Sequence, residues 1–207
     1  MVLIRILALI LFSGTVISFA GMDKHPAVTS KEKTFCLPEL SDGDIILREG
    51  KGFISEMMKA TSATDKRFSH AGVVVFGKNG PLVAHFIGTP ESPGNAFKLE
   101  PIDSFIRPDE NLSFAVYRYD LSENEKAAIR NDISLMKGKQ IRFDEAFDLE
   151  TDSALYCTEF IYKTYLKTMG RFSPLGHTAT PAGTYVGLDD LYYNRNCKTI
   201  TEIRYAP

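Results

Sequence analysis

The chain has no tryptophan, only three cysteines and only four histidines in 207 residues. Three cysteines as far apart as Cys36, Cys157 and Cys197 exclude a small disulfide-dense scaffold. With no C-x-x-C or H-x-x-x-H pair, the ligand-type residues lack the spacing of a structural zinc site. A zinc site from His70, His85 and Cys157 is the remaining way to use these residues as ligands, and the missing close pair argues against it. No metal and no cofactor are expected. Runs of one charge sign are absent and the net charge is −2, so nothing points to a nucleic-acid partner. There are no internal repeats and no low-complexity tract, and the apolar content suits one domain with a full core.

The longest apolar run lies at the start, where Arg5 precedes Ile6 to Phe12 and the small residues Ser18 and Ala20 frame a cleavage site before Gly21. Residues 1–20 read as a secretory signal peptide. An uncleaved anchor is the alternative, and the short apolar core argues against it. Cleavage would remove Arg5 and no acidic residue, moving the net charge from −2 to −3. The expected location is therefore outside the cytoplasm, periplasmic or secreted in a bacterial envelope. In an oxidising compartment an odd cysteine needs explaining. Cys36 and Cys197 sit in polar surroundings and are the candidate disulfide; Cys157 sits in an apolar one and is the candidate free thiol. All three unpaired is the alternative.

After a polar arm over residues 21–39, structure is expected over 40–207. A short strand at Ile45 to Leu47 leads to an amphipathic helix with Phe53, Ile54, Met57 and Met58 on one face, a stripe that at this spacing is usually core. Ala71 to Phe76 and Leu82 to Phe86 read as a hairpin around an Asn-Gly pair that favours positive φ. It carries His70 and His85 at ends that a tight return brings close together. A strand at Leu112 to Tyr119 is followed by a capping box at Ser122 and Glu125 that starts a helix running to Lys137. Pro174 to Gly183 reads as loop, and Thr199 to Tyr205 as an edge strand. His25 and His177 read as surface residues.

The chemistry gathers at Cys157. Phe160, Ile161, Thr164, Tyr165 and Met169 share a helical face, which places the thiol in the first turn of a helix. Free N–H groups and the dipole there favour a thiolate and are expected to lower its pKa. A nucleophilic thiol also needs a base, and His70 at the start of an apolar strand would hold an imidazole rigidly. The other reading of Cys157 is a buried structural cysteine; that of His85 is a histidine satisfied within its strand.

Taken in order, Gly43-Asp44-Ile45-Ile46, Ser69-His70-Ala71-Gly72, Gly138-Lys139 with Phe143-Asp144, and Tyr156-Cys157-Thr158-Glu159-Phe160 resemble the motifs of the circularly permuted papain-like NlpC/P60 hydrolases, of the YiiX-like kind. The resemblance runs from Leu40 to about Leu191. It implies an α+β fold in which a small antiparallel sheet carrying the histidine packs against the helix bearing the cysteine. It also implies Cys157 as nucleophile, His70 as general base and His85 at the third triad position, where YiiX-like proteins typically have glutamate and the related lecithin:retinol acyltransferase group has histidine. Phe143 stands where the pattern usually has tyrosine. Tyr156, Glu159 and Asp144 are accessory candidates near the oxyanion, Glu159 alternatively complementing the helix N-terminus.

Export and the resemblance together make cell-envelope peptides or another amide the expected substrate, cleaved through a thioester. An acyl-lipid substrate, with Phe53, Ile54, Met57 and Met58 lining a groove and touching a membrane surface, is the alternative within the enzyme class. A non-catalytic envelope binding module is the alternative outside it. Oligomeric state has no signature in the sequence.

Overall fold

In the computed structural model β1 (Ile45–Gly50) occupies the middle of a six-stranded antiparallel sheet, because its Ile45, Ile46 and Leu47 are apolar on both faces and all are fully buried. The structure describes residues 37–88, 94–181 and 183–206. The signal peptide, most of the arm, His25 and Cys36 lie outside them. Residues 37–207 form one unit.

The other elements follow in the order α1 (Phe53–Lys59), β2 (His70–Gly77), β3 (Gly80–Phe86), β4 (Phe97–Pro101), α2 (Ile102–Phe105), β5 (Asn111–Arg118), α3 (Glu123–Met136), β6 (Arg142–Phe143), β7 (Ala154–Leu155), α4 (Cys157–Met169), β8 (Thr178–Thr180), β9 (Gly183–Tyr185) and β10 (Lys198–Arg204). The sheet order is β10-β5-β1-β2-β3-β4. Strand alternation separates two cores. Ile45, Leu47, Val73 and Ala84 face α4 and α3, whereas Ile46, Val74, Val83 and Phe114 face α2.

Local chemistry accounts for the main junctions. The Ser122 hydroxyl and Glu125 carboxylate form the expected reciprocal cap of α3. The Gly43-Asp44 motif is structural: Asp44 is buried and accepts from Arg118 Nε and Nη2, both at 2.7 Å, which ties β1 to β5. The Tyr165 hydroxyl donates to the Gly43 carbonyl at 2.5 Å and locks α4 to the same corner.

Three expectations change. The hairpin turn places Lys78 and Asn79 between the paired Gly77 and Gly80, and the positive φ falls on Gly80 at 121°, not on Asn79. Within Pro174 to Gly183, read as loop, β8 pairs with β9. The α1 stripe is not core: Phe53, Ile54 and Met57 are 77%, 68% and 49% exposed, because no element packs over that face among the described residues.

Candidate active site

Cys157 is the first residue of α4 and opens, half-buried, onto a cavity of 1390 Å³ that His70 also lines. The two reach it from opposite faces of the sheet. His70 starts β2 and shares the α2 face with Val74, while α4 packs on the other face and meets the sheet at the beginning of β2. There the Ala71 and Thr158 N–H groups face the Cys157 sulfur and favour its thiolate form.

β3 brings up His85, the residue expected at the third position. His70 Nε2 lies 2.8 Å from His85 Nδ1. The register places Gly72 opposite His85, so His70 reaches the neighbouring ring along the same face. Gly72 is required for that approach: a Cβ there would lie 2.4 Å from Val83 Cγ1 and 3.3 Å from His85 Cβ. Phe105 of α2 closes the outer side, its ring 5.7 Å from that of His70 and 5.2 Å from that of His85.

Sequence reasoning missed two charged groups. Lys98 of β4 pairs with His85, and Glu100, two residues on and therefore on the same face, brings Oε1 to 3.1 Å from His85 Nε2. The carboxylate lies off the ring N–H direction, and Nε2 has no well-aligned hydrogen bond, so the contact is chiefly electrostatic. It holds Glu100 below the usual carboxylate range. On the other side Arg48 of β1 pairs with His70 and lines the cavity. Strand alternation beyond Leu47 was the available signal for Arg48. For Glu100 the signal was alternation from Lys98.

Burial sets the resting protonation. It pushes the Cys157 thiol up to about 11 against the opposing pull of the Ala71, Thr158 and Cys157 N–H groups and of Arg48. The expected lowered pKa is therefore reversed, because desolvation outweighs the helix N-terminus. Burial, then Arg48 and His85, hold His70 well below its ordinary value. The resting pair is a thiol and a neutral imidazole. With Glu100 ionised beside His85 Nε2–H, His85 Nδ1 accepts from His70 Nε2–H, and Nδ1 of His70 is left as the basic nitrogen.

The accessory candidates have other work. The Tyr156 hydroxyl accepts from the Val186 N–H at 2.8 Å, and Thr158 Oγ1 donates to the Val186 carbonyl at 2.6 Å, so the start of α4 clasps that segment. Glu159 is fully buried, accepts from the Tyr156 N–H at 3.2 Å and lies 2.9 Å from Lys163 Nζ; neither Tyr156 nor Glu159 lines the cavity. Asp144 does line it, but its oxygens accept from the Ala146 and Asp148 N–H groups at 2.9 and 2.8 Å. Those bonds shape the loop in which Phe147 takes a φ of 54°, beside Phe143 on the cavity wall. His177 meets the Tyr162 hydroxyl at 3.3 Å. Cys197 is a half-buried free thiol beside Tyr119, whose hydroxyl donates to the Leu191 carbonyl at 2.9 Å; its expected partner Cys36 lies outside the described residues. Among the described residues no three His, Cys, Asp or Glu side chains are grouped to hold a metal ion.

A cysteine at a helix start, set against a histidine on an antiparallel sheet and backed by a polar chain, defines a papain-like cysteine hydrolase. Residues 39–180 match the model of the permuted papain-like amidase enzymes of the YaeF/YiiX, C92 family, and the chain belongs to that family. Its fold is similar to a crystal structure described as that of the metalloprotein YiiX from Escherichia coli O157:H7, with a TM-score of 0.64 and 18% identity over 80% of this chain and 98% of that one. No curated protein matches the sequence.

Proposed function

We propose that the protein is an exported cysteine amidase acting on cell-envelope peptides, with Cys157 as nucleophile and His70 as base. The observation that carries this is the continuous polar chain from Glu100 through His85 to His70, ending at the cavity that Cys157 enters. As Sγ bonds to the amide carbon, His70 Nδ1 takes the thiol proton; the tetrahedral intermediate expels the amine, which receives that proton. Water then attacks the thioester, giving up a proton to His70 that returns to Sγ as the acid leaves. The N–H groups at the start of α4 are the donors for the oxyanion.

A second reading has its own observation. The exposed face of α1 adjoins this cavity through Ile54, Met57 and Met58, which suits a substrate with an apolar acyl chain. Purified protein is tested on envelope peptides, N-acyl amides and lipid esters, with Cys157→Ala and His70→Ala as controls. Peptide cleavage lost in both variants supports the first reading, and cleavage confined to lipid substrates supports the second. Undiminished turnover in Cys157→Ala would overturn both.

A further inference from the structure

The geometry points to Arg48 as the counter-charge of the reaction, a fixed cation that stabilises the negative charge on Cys157 and on the carbonyl oxygen as attack proceeds. This rests on Cys157 being the nucleophile. Arg48 stands directly across from His70 in the β1–β2 register, so the two side chains leave the same face of the sheet and both open onto the cavity. Its guanidinium donates through Nη1 to the Phe105 carbonyl at 2.9 Å and lies 4.6 Å from the centroid of the Phe105 ring. Among the described residues no carboxylate comes within ion-pair distance of it. Two other partly buried cations, Lys59 and Arg118, hold carboxylates at 2.8 and 2.7 Å. Glu100 and Glu110 act on Arg48 only from beyond ion-pair distance, and a largely buried cation held without a direct ion pair is costly unless its charge is used.

The fields around the thiol divide the labour. Glu100, acting through His85, favours the positive charge that His70 gains, and Arg48 favours the negative charge that sulfur and then oxygen gain. Arg48 also opposes a permanent imidazolium, which keeps His70 free to accept the proton. The remaining charged groups on the cavity are committed or rim-set: Asp144 to its loop, Glu110 and Asp109 to Arg107, Lys51 to the Pro108 and Asp109 carbonyls, and Arg142 and Glu145 exposed at the rim.

Charge-selective alkylation at pH 9 tests this without knowledge of the substrate. The rates of Cys157 with anionic iodoacetate and neutral iodoacetamide are compared, after site mapping, with those of 2-mercaptoethanol. In the parent protein the iodoacetate to iodoacetamide ratio is expected to exceed that of the free thiol by about fivefold or more, the size of a unit charge at close range in a partly screened site. Arg48→Gln should lower the ratio to the free-thiol value and Arg48→Lys should retain most of it, while circular dichroism is unchanged in both. Arg48→Met serves as the neutral variant if Arg48→Gln does not fold. A parent ratio at or below that of the free thiol, or a ratio unmoved in the neutral variant, overturns the role of Arg48 and leaves the nucleophile standing. Failure of both reagents to label Cys157 overturns the nucleophile, and the counter-charge with it.

Discussion

His70 and His85 are joined ring to ring, Nε2 to Nδ1 at 2.8 Å, with their planes 81° apart. Neutral imidazole has one donor and one acceptor, so a bond between two rings passes the choice of tautomer from one to the next. Glu100 at the far end favours one choice, and in the proposed mechanism the nitrogen left bare on His70 is the one that takes the Cys157 proton. In the proposed triad the polar group at the end is thus moved one residue outward from the third position.

Glu100→Gln keeps the side-chain shape and removes the charge. Against whichever amide proves to be a substrate, kcat should fall roughly tenfold with KM unchanged, whereas His85→Ala should cost about a thousandfold because the His70 tautomer is no longer fixed. Equal loss in KM and kcat for Glu100→Gln would mean that the residue shapes the cavity and does not act through His85.

Thiol alkylation should show the effect of burial. With the Cys157 thiol raised to about 11, its labelling by iodoacetamide should climb about tenfold per pH unit from pH 7 to 9 with no plateau. A rate already level at pH 7 would indicate a resting thiolate and contradict the neutral pair.

Gly72→Ala probes the approach of the two strands at the histidines. The new methyl would meet Val83 Cγ1 at 2.4 Å and the Ala84 carbonyl oxygen at 3.0 Å, so β3 must shift and His85 with it. Overpacking of this kind costs about 1–3 kcal/mol, and activity should fall by more than the unfolded fraction explains. Thermal denaturation beside kcat measures both.

Much of this site was legible in the chain because its parts are local. His70 and His85 lie on one hairpin whose turn fixes their register, and Cys157 is placed by the periodicity of its own helix. What was not legible depends on neighbours distant in sequence. Glu100 acquires its role only when β4 pairs with β3, and Arg48 only when β1 lies beside β2. The reversed thiol pKa follows from burial that no helix start reveals by itself. For α1, spacing identifies an apolar face but not whether another element covers it, and here none of the described residues does.

Glu159 offers a test of stability instead of turnover. Burial raises its carboxyl to about 7, against the opposing effects of Lys163 and the Tyr156 N–H, while Asp144 raises it further. The folded state therefore holds a proton at Glu159 that the unfolded chain, with an ordinary glutamate pKa of about 4.3, has already released. Over that interval the folded form binds more protons, so this group's contribution to stability is complete below about pH 4.3 and is lost as pH rises to 7. His70 and His85 act in the opposite direction, since their lowered pKa values cost stability as pH falls through the ordinary histidine range. The difference between Glu159→Gln and the parent isolates the carboxyl from the histidines. The variant should gain in melting temperature relative to the parent between pH 5 and 7, with the gain growing toward the upper end. A difference that stays flat across that range would place the Glu159 pKa at its ordinary value and leave the carboxylate charged in the core, neutralised by Lys163.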